Sequence, residues 1–372
     1  MARVPIAGYL LKNNSLPHLT RCGTMGHVIA SMGSPSTSPL YRAPQVPGPW
    51  ARHHLWYHAT PQEVHNTDVA LGLISECARF GMNVMSLPAM LADADPTYIE
   101  KVTRAATRRG VRLLPHVGAN VVSRAPALAE GRYEILDQWF AHGAFGVELG
   151  TIDLTDEEPL TDAGAHIHAG WDTRELLAYV ESHTDAIVSA AISAPTFEAA
   201  SAHALEDYFD VVRFQISTPD AYAPDVFSDQ VSEKLQFFEI AGAIPSWDCS
   251  FSTLENRAGR LSEGAILLAA CFYPGFLHFE QNIPGRSPSV RHALRLRDSL
   301  SLHRSSILIS TDKAEDGFIW LVTDKVDMLL NFGPYPYVVP NDGRVLVSSL
   351  IELPEENGNL VVPPGEAAWL RR

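Results

Sequence analysis

The chain is poor in the features that would place it in several large protein classes. It has four cysteines in 372 residues, Cys22, Cys77, Cys249 and Cys271, scattered and without a CxxC pair. That excludes a disulfide framework and favours buried, reduced thiols, hence the cytoplasm. Basic residues are outnumbered, 28 against 43 acidic ones, giving a formal charge of −15. Such a balance opposes phosphate backbones and anionic lipid, so neither nucleic acid nor a membrane surface is expected as a partner. Long apolar runs are also missing. The most hydrophobic segment, Ile266 to Phe279, falls short of the roughly 20 residues a membrane span needs, and the patch Ile6 to Leu11 is too short for a signal peptide. No phosphate-binding glycine loop, GxSxG elbow, HExxH or nucleotide fingerprint occurs, so neither a cofactor nor a metal is expected.

What is present is a change of pattern along the chain. Residues 1–49 are rich in Ser, Pro and Gly, as in Ser34-Pro-Ser-Thr-Ser-Pro39, and read as an irregular arm. From Trp50 apolar segments alternate with amphipathic ones, the signature of repeated βα units. Strands fall at Leu55–Ala59, Asn83–Leu87, Arg112–Val117, Gly146–Leu149, Ala186–Ile192, Val211–Ile216, Gly242–Ser246 and Gly275–Phe279. Helices are expected between them, at Thr67–Phe80, Pro96–Arg109, Tyr133–Phe140, Thr173–Ser182, Thr196–Tyr208, Ser228–Ile240 and Gly264–Cys271, with a basic one at Ser289–Leu302. Eight strands at this spacing suggest a closed (β/α)8 TIM barrel over residues 50–302, and an open doubly wound sheet is the rival. Beyond 302 short strands and turn signals such as Pro340-Asn-Asp-Gly343 indicate a small C-terminal antiparallel β domain, residues 303–372.

The order of several segments carries a resemblance. Trp50-Ala-Arg-His-His-Leu-Trp-Tyr-His-Ala-Thr-Pro61, Gly81-Met-Asn-Val-Met-Ser-Leu-Pro88 and Arg109-Gly-Val-Arg-Leu-Leu-Pro-His-Val-Gly-Ala-Asn120 are followed by His142-Gly-Ala-Phe-Gly-Val-Glu-Leu-Gly150. Further on stand Ile244-Pro-Ser-Trp-Asp248, Pro274-Gly-Phe-Leu-His-Phe-Glu-Gln-Asn-Ile283 and Leu329-Leu-Asn-Phe-Gly333. Taken together, from Trp50 to Arg372, they resemble glycoside hydrolase family 13, the α-amylase family. The resemblance implies a barrel with a capping β domain, and it places Gly150 where the family has its nucleophilic Asp and Glu148 where it has an Arg. The acid/base Glu falls on Ala190, the steadying Asp is kept as Asp248, and His116 and Asn120 occupy third-strand site positions. The family's long insertion after the third strand is reduced to the dozen residues Val121 to Arg132.

Retaining glycoside hydrolysis needs two carboxyl groups about 5 Å apart, and Gly150 and Ala190 supply none. Ordinary α-glucan hydrolysis is therefore not expected. A repurposed acid/base site is, with Glu148, Asp248 and His116 as proton-transfer residues and Tyr57, His58, Asn120, Arg213, Trp247, His278 and Glu280 around a small-molecule substrate. An isomerase, lyase or cyclase passing through an oxocarbenium-like state, acting on a small polyhydroxylated or cyclic ether compound, fits that set. Three alternatives stand beside it. The chain could be a pseudoenzyme that binds a saccharide or a partner protein, it could be a hydrolase with shifted carboxylates, or Glu148 could be a structural residue paired with Arg213. The loop Thr151–Trp171, with Asp153, Asp156, Glu157, Glu158, Asp162, His166 and His168, lacks a metal-site spacing and reads as a solvated lid.

Overall fold

A computed structural model describes residues 38–41, 54–60, 62–91, 97–117, 128–153, 179–180, 182–183, 186–193, 210–215, 224–241, 244–249, 261–280, 287–310 and 312–372. Strand β1 is Ser38–Tyr41, and eight parallel strands follow: β2 Leu55–His58, β3 Val84–Pro88, β4 Arg112–His116, β5 Gly146–Asp153, β6 Ile187–Ser193, β7 Val211–Gln215, β8 Ser246–Asp248 and β9 Phe276–Glu280. Each pairs with the next, and β9 pairs with β2, so the barrel closes and the open-sheet alternative falls. The helices are α1 Thr67–Arg79, α2 Tyr98–Arg108, α3 Leu128–Ala141, α4 Pro224–Ala241, α5 Glu263–Phe272 and α6 Pro288–Ser299. The expected helices at Thr173–Ser182 and Thr196–Tyr208 lie outside the described residues, apart from the helical Tyr179–Val180 and Ser182, which is in a turn.

Local rules account for these elements. In α1 the Asn66 side chain accepts a hydrogen bond from the Val69 N–H at 2.9 Å, satisfying an otherwise orphaned donor, and Ala70, Ile74 and Cys77 form the buried stripe. The first two helices both hand over to a strand through a glycine at positive φ, Gly81 at 85° and Gly110 at 71°, a backbone state that side chains with a Cβ avoid. Strands β2 and β3 are buried on both faces, as barrel strands between a filled interior and a helical shell must be.

Inside the barrel, inward residues come in layers. Trp56, Val84, Leu114, Ile187, Val211 and Phe276 make an apolar floor. Two residues further along each strand the inward positions turn polar: His58, Ser86, His116, Glu148, Ser189, Arg213, Ser246 and His278. The alternate residues Tyr57, Met85, Leu113, Val147, Val188, Ala190, Trp247 and Leu277 face the helices and join the surrounding core.

The C-terminal part comprises β10 Ile307–Ser310, β11 Phe318–Val322, β12 Val326–Asn331, β13 Tyr337–Pro340, β14 Val345–Ser348, β15 Glu355–Glu356, β16 Asn359–Val362 and β17 Ala367–Arg371. They form two antiparallel sheets, β1-β10-β11-β12-β17-β14 and β13-β16-β15. Phe318, Leu329, Ala368 and Leu370 meet Val339 and Val362 between the sheets. The opposite face of the larger sheet packs on the barrel's helices, with Trp369 edge-on to Phe272 at 5.4 Å. Two features depart from expectation. The arm contains a regular piece, because β1 pairs with β10, and Arg297 of the basic helix α6 is fully buried. Its guanidinium donates to the carbonyls of Cys271 at 2.9 Å, Tyr273, and Gly275 at 2.5 Å, tying α6 to the turn after α5.

Candidate active site

Glu148 is the centre of the polar layer, one layer below the C-terminal rim of the barrel. Its strand bulges between Glu148 and Thr151, and Gly150 takes φ 81° there. The carboxylate curls back over this bulge. Oε1 accepts the Gly150 N–H at 3.0 Å and the Arg213 Nη2–H at 2.7 Å. Glu148 is 1% and Arg213 6% exposed, so this is a buried ion pair. Burial pushes the carboxyl's pKa up, opposed by the Arg213 charge and the hydrogen bonds it receives.

On the other side of Glu148 stands a chain of imidazoles and hydroxyls. His58 Nδ1 lies 2.9 Å from Ser86 Oγ and 3.6 Å from Glu148 Oε2. His58 Nε2 meets His278 Nδ1 at 2.7 Å, and His278 Nε2 meets Ser246 Oγ at 2.6 Å. Burial first, then the Arg213 charge, lowers both imidazoles well below their ordinary range, so both are neutral near pH 7. His116, the register partner of Glu148 on β4, is pushed down to about 4 by the same two causes. Two buried atoms of this layer find no hydrogen-bond partner among the described residues, His116 Nε2 and Arg213 Nε, while the Ser189 hydroxyl faces the Glu148 carboxylate. Native interiors rarely leave such groups unsatisfied without a water, an ion or a ligand to meet them.

Glu148, His116, His58, Arg213 and His278 are thus brought together. Glu280 is partly exposed at the end of β9, its backbone in register with His58. Asp248 closes β8 in register with His278, but its side chain is outside the described set, as are Asn120 and residues 154–171 of the lid. Tyr57 and Trp247 are corrections. Both point outward: Tyr57 donates to Glu63 Oε1 at 2.5 Å and Trp247 Nε1 donates to the Pro274 carbonyl at 2.7 Å. Neither can stack on a ligand in the barrel. Ala190 also faces the helices, in the core with Val147 and Val188, so it does not stand where a strand-five side chain enters the barrel. That inward position in the polar layer is Ser189. Three serines, Ser86, Ser189 and Ser246, were not foreseen. Counting in twos from Glu148 to the inward position of every strand would have found them.

A second group lies at the opposite, N-terminal face, where ligand atoms of His54, Asp298 and His303 fall within 4.8 Å of one another. The two imidazoles are stacked, with centroids 4.0 Å apart and planes 1° from parallel. Imidazole lone pairs lie in the ring plane, so parallel rings do not converge on one ion. Burial, and then the positive charges of Arg297 and Arg304, push His303 down to about 4. This arrangement is a poor cation site as it stands. A groove of about 370 Å³ between α6 and the β domain, lined by His292, Val347 and Leu350 among others, contains none of the barrel residues above.

The whole architecture has solved counterparts. Trehalose-6-phosphate hydrolase from Bacillus licheniformis superposes with a TM-score of 0.59 at 12% identity, over 87% of this chain and 100% of that one. A family GH13_31 enzyme gives 0.57 at 10% identity, over 87% and 99%. At such identity the likeness establishes the fold alone: an α-amylase-type barrel with its C-terminal β domain. No protein-family model and no curated protein matches the sequence.

Proposed function

We propose that the chain is a repurposed acid/base enzyme on an α-amylase-type scaffold, divergent from that family and without its retaining hydrolytic chemistry. Its substrate is a small polyhydroxylated or cyclic ether molecule, isomerised, cyclised or cleaved by elimination through an oxocarbenium-like state. The reading rests on one observation. A single carboxylate, Glu148, has Oε1 anchored by Arg213 and Gly150 while Oε2 has His58 Nδ1 at 3.6 Å, and among the described residues the neighbouring His116 Nε2 and Arg213 Nε find no hydrogen-bond partner. One anchored carboxylate can steady a developing cation and exchange a proton with it, and a neutral imidazole beside it can take the complementary role. The pair of carboxyls that covalent glycoside hydrolysis requires is not supplied by Gly150 and Ala190. Asp248, at the rim end of β8, is the proposed second acid group. The three described thiols, Cys77, Cys249 and Cys271, are free and buried, and no described helix is long and apolar enough to cross a membrane. The buried free thiols support our assignment of the protein to the cytoplasm, and the formal charge of −15 supports a small molecule rather than nucleic acid or a membrane surface as its partner.

The pseudoenzyme reading keeps one specific support, the near-complete burial of Glu148 and the prior engagement of its Oε1. The two are separated by incubating the protein in D2O with a panel of aldoses, anhydro sugars and cyclic polyols and following product signals and solvent-deuterium incorporation by NMR. Turnover by the wild type, cut on the order of 100-fold or more in Glu148→Gln as expected for loss of a general acid/base, supports the enzyme. Binding without turnover, or turnover unchanged in Glu148→Gln, overturns it.

A further inference from the structure

The chain Ser86–His58–His278–Ser246 restricts where its protons can sit. Two neutral imidazoles carry one N–H each. At 2.7 Å, His58 Nε2 and His278 Nδ1 must share one proton, because two lone pairs or two N–H groups would repel at that distance. Only two arrangements satisfy this. In the first, His278 Nδ1–H donates to His58 Nε2. The His58 proton is then on Nδ1, facing Ser86 Oγ and Glu148 Oε2, and His278 Nε2 accepts from the Ser246 hydroxyl. In the second, His58 Nε2–H donates to His278 Nδ1. His58 Nδ1 is then bare and accepts from Ser86, while His278 Nε2–H donates to Ser246 Oγ. Each ring's tautomer therefore fixes the other's.

Glu148 chooses between them. Its Oε2 is 3.6 Å from His58 Nδ1, so an ionised carboxylate is attracted to a proton-bearing Nδ1 and repelled by a bare one. A protonated or amide group at that position reverses the preference. The other groups facing Glu148 are Arg213 on β7, His116 on β4 and Ser189 on β6. Arg213 is permanently charged and holds Oε1, which leaves Oε2 as the oxygen that changes state.

We propose that His58 and His278 are positioning residues forming a two-state proton arrangement whose state is set by the charge on Glu148, extending across the barrel to Ser246. The change takes up one proton overall. Glu148 Oε2 gains that proton; His58 gives up its Nδ1 proton toward Ser86 Oγ at 2.9 Å and its Nε2 takes the proton of His278 Nδ1, while His278 Nε2 takes that of Ser246, each ring and each hydroxyl ending with one proton. The Ser86 and Ser246 hydroxyls exchange the displaced protons with their surroundings, so the net uptake is the one proton on Glu148. The inference deepens the proposed reading by adding residues that stabilise both forms of the acid/base group, but its test needs no turnover and so fails or succeeds separately.

The experiment is two-dimensional long-range ¹H–¹⁵N NMR of the full chain labelled with ¹⁵N-histidine, assigned by single His→Gln variants at His58 and His278. For the wild type near neutral pH both rings should carry their proton on Nδ1. In Glu148→Gln the amide oxygen takes the Arg213 contact and the amide N–H faces His58, so both rings should switch to Nε2–H together. Should that variant fold poorly, the wild type titrated with acid gives the same information, since both rings should change with a single shared midpoint. Rings that keep their tautomers in Glu148→Gln, a switch in one ring only, or two separate midpoints would each overturn the coupling.

Discussion

Replacing Arg213 with Met is the most direct way to ask what the buried pair contributes. The two groups are 2.7 Å apart and 94% or more withdrawn from solvent, so the substitution leaves a buried carboxylate with neutral donors such as the Gly150 N–H but without its cationic partner. Breaking a buried pair from one side costs about 3–5 kcal/mol, most of it the penalty of the stranded charge. The double variant Glu148→Leu/Arg213→Met removes that charge, and similar exchanges elsewhere are neutral or stabilising by about 1–4 kcal/mol. Here the orphaned Gly150 N–H takes back about 1–3 kcal/mol, so the double variant should recover most of the single variant's loss. Acid should also rescue the single variant. Burial already holds the Glu148 carboxyl above its usual value, and without Arg213 it climbs further. A raised carboxyl stabilises the fold below the unfolded-state value and loses that contribution as pH rises through the folded value. The Arg213→Met deficit is therefore largest at neutral pH and shrinks toward pH 4.5, the ordinary value for the group. Urea unfolding followed by tryptophan fluorescence at both pH values measures each quantity. A single variant within about 1 kcal/mol of wild type at neutral pH would refute the claim that breaking a buried pair strands a charge, and so would a double variant no more stable than the single.

Two further outcomes are expected. Because burial and Arg213 depress His116 to about 4, the stability from its neutrality is present above 6.5 and lost as pH falls toward 4. His116→Asn should flatten that limb by up to one proton, or about 1.4 kcal/mol per pH unit; an unchanged slope in acid-titrated urea melts counts against it. Gly150→Asp, which restores the α-amylase-type nucleophile by sequence, should release no reducing sugar from maltose and should lose about 1–2 kcal/mol from its φ of 81°. Hydrolysis at wild-type stability would show the bulge to be tolerant of that side chain.

The barrel was legible in the sequence because its strands are short apolar runs bounded by glycine, and Leu55, Val84, Arg112, Gly146, Ile187, Val211 and Phe276 all fall inside the segments expected for them. Beyond the barrel, Tyr337–Pro340 runs into the expected turn Pro340-Asn-Asp-Gly343 and Asn359–Val362 directly follows an Asn-Gly pair, so neither stands out in the sequence as a strand. In the site, residue identity was easier to read than direction. Glu148 with Arg213 could be proposed as a pair because both are charges in apolar strands. Which of Trp247 and Ser246, or Ala190 and Ser189, faces inward depends on a one-residue register that an aligned motif does not fix, since each slip turns every side chain to the opposite face. The His58–His278 contact joins the first and last barrel strands, and only closure of the barrel creates it.

The pairing of Ser38–Tyr41 with Ile307–Ile309 has a bearing on how the protein is made. During synthesis this strand leaves the ribosome while its partner is still untranslated, and domains otherwise tend to mature in the order they emerge. That edge of the sheet can therefore be completed only after the entire barrel has been synthesised, so a nascent chain truncated before Ile307 can never join the two chain regions.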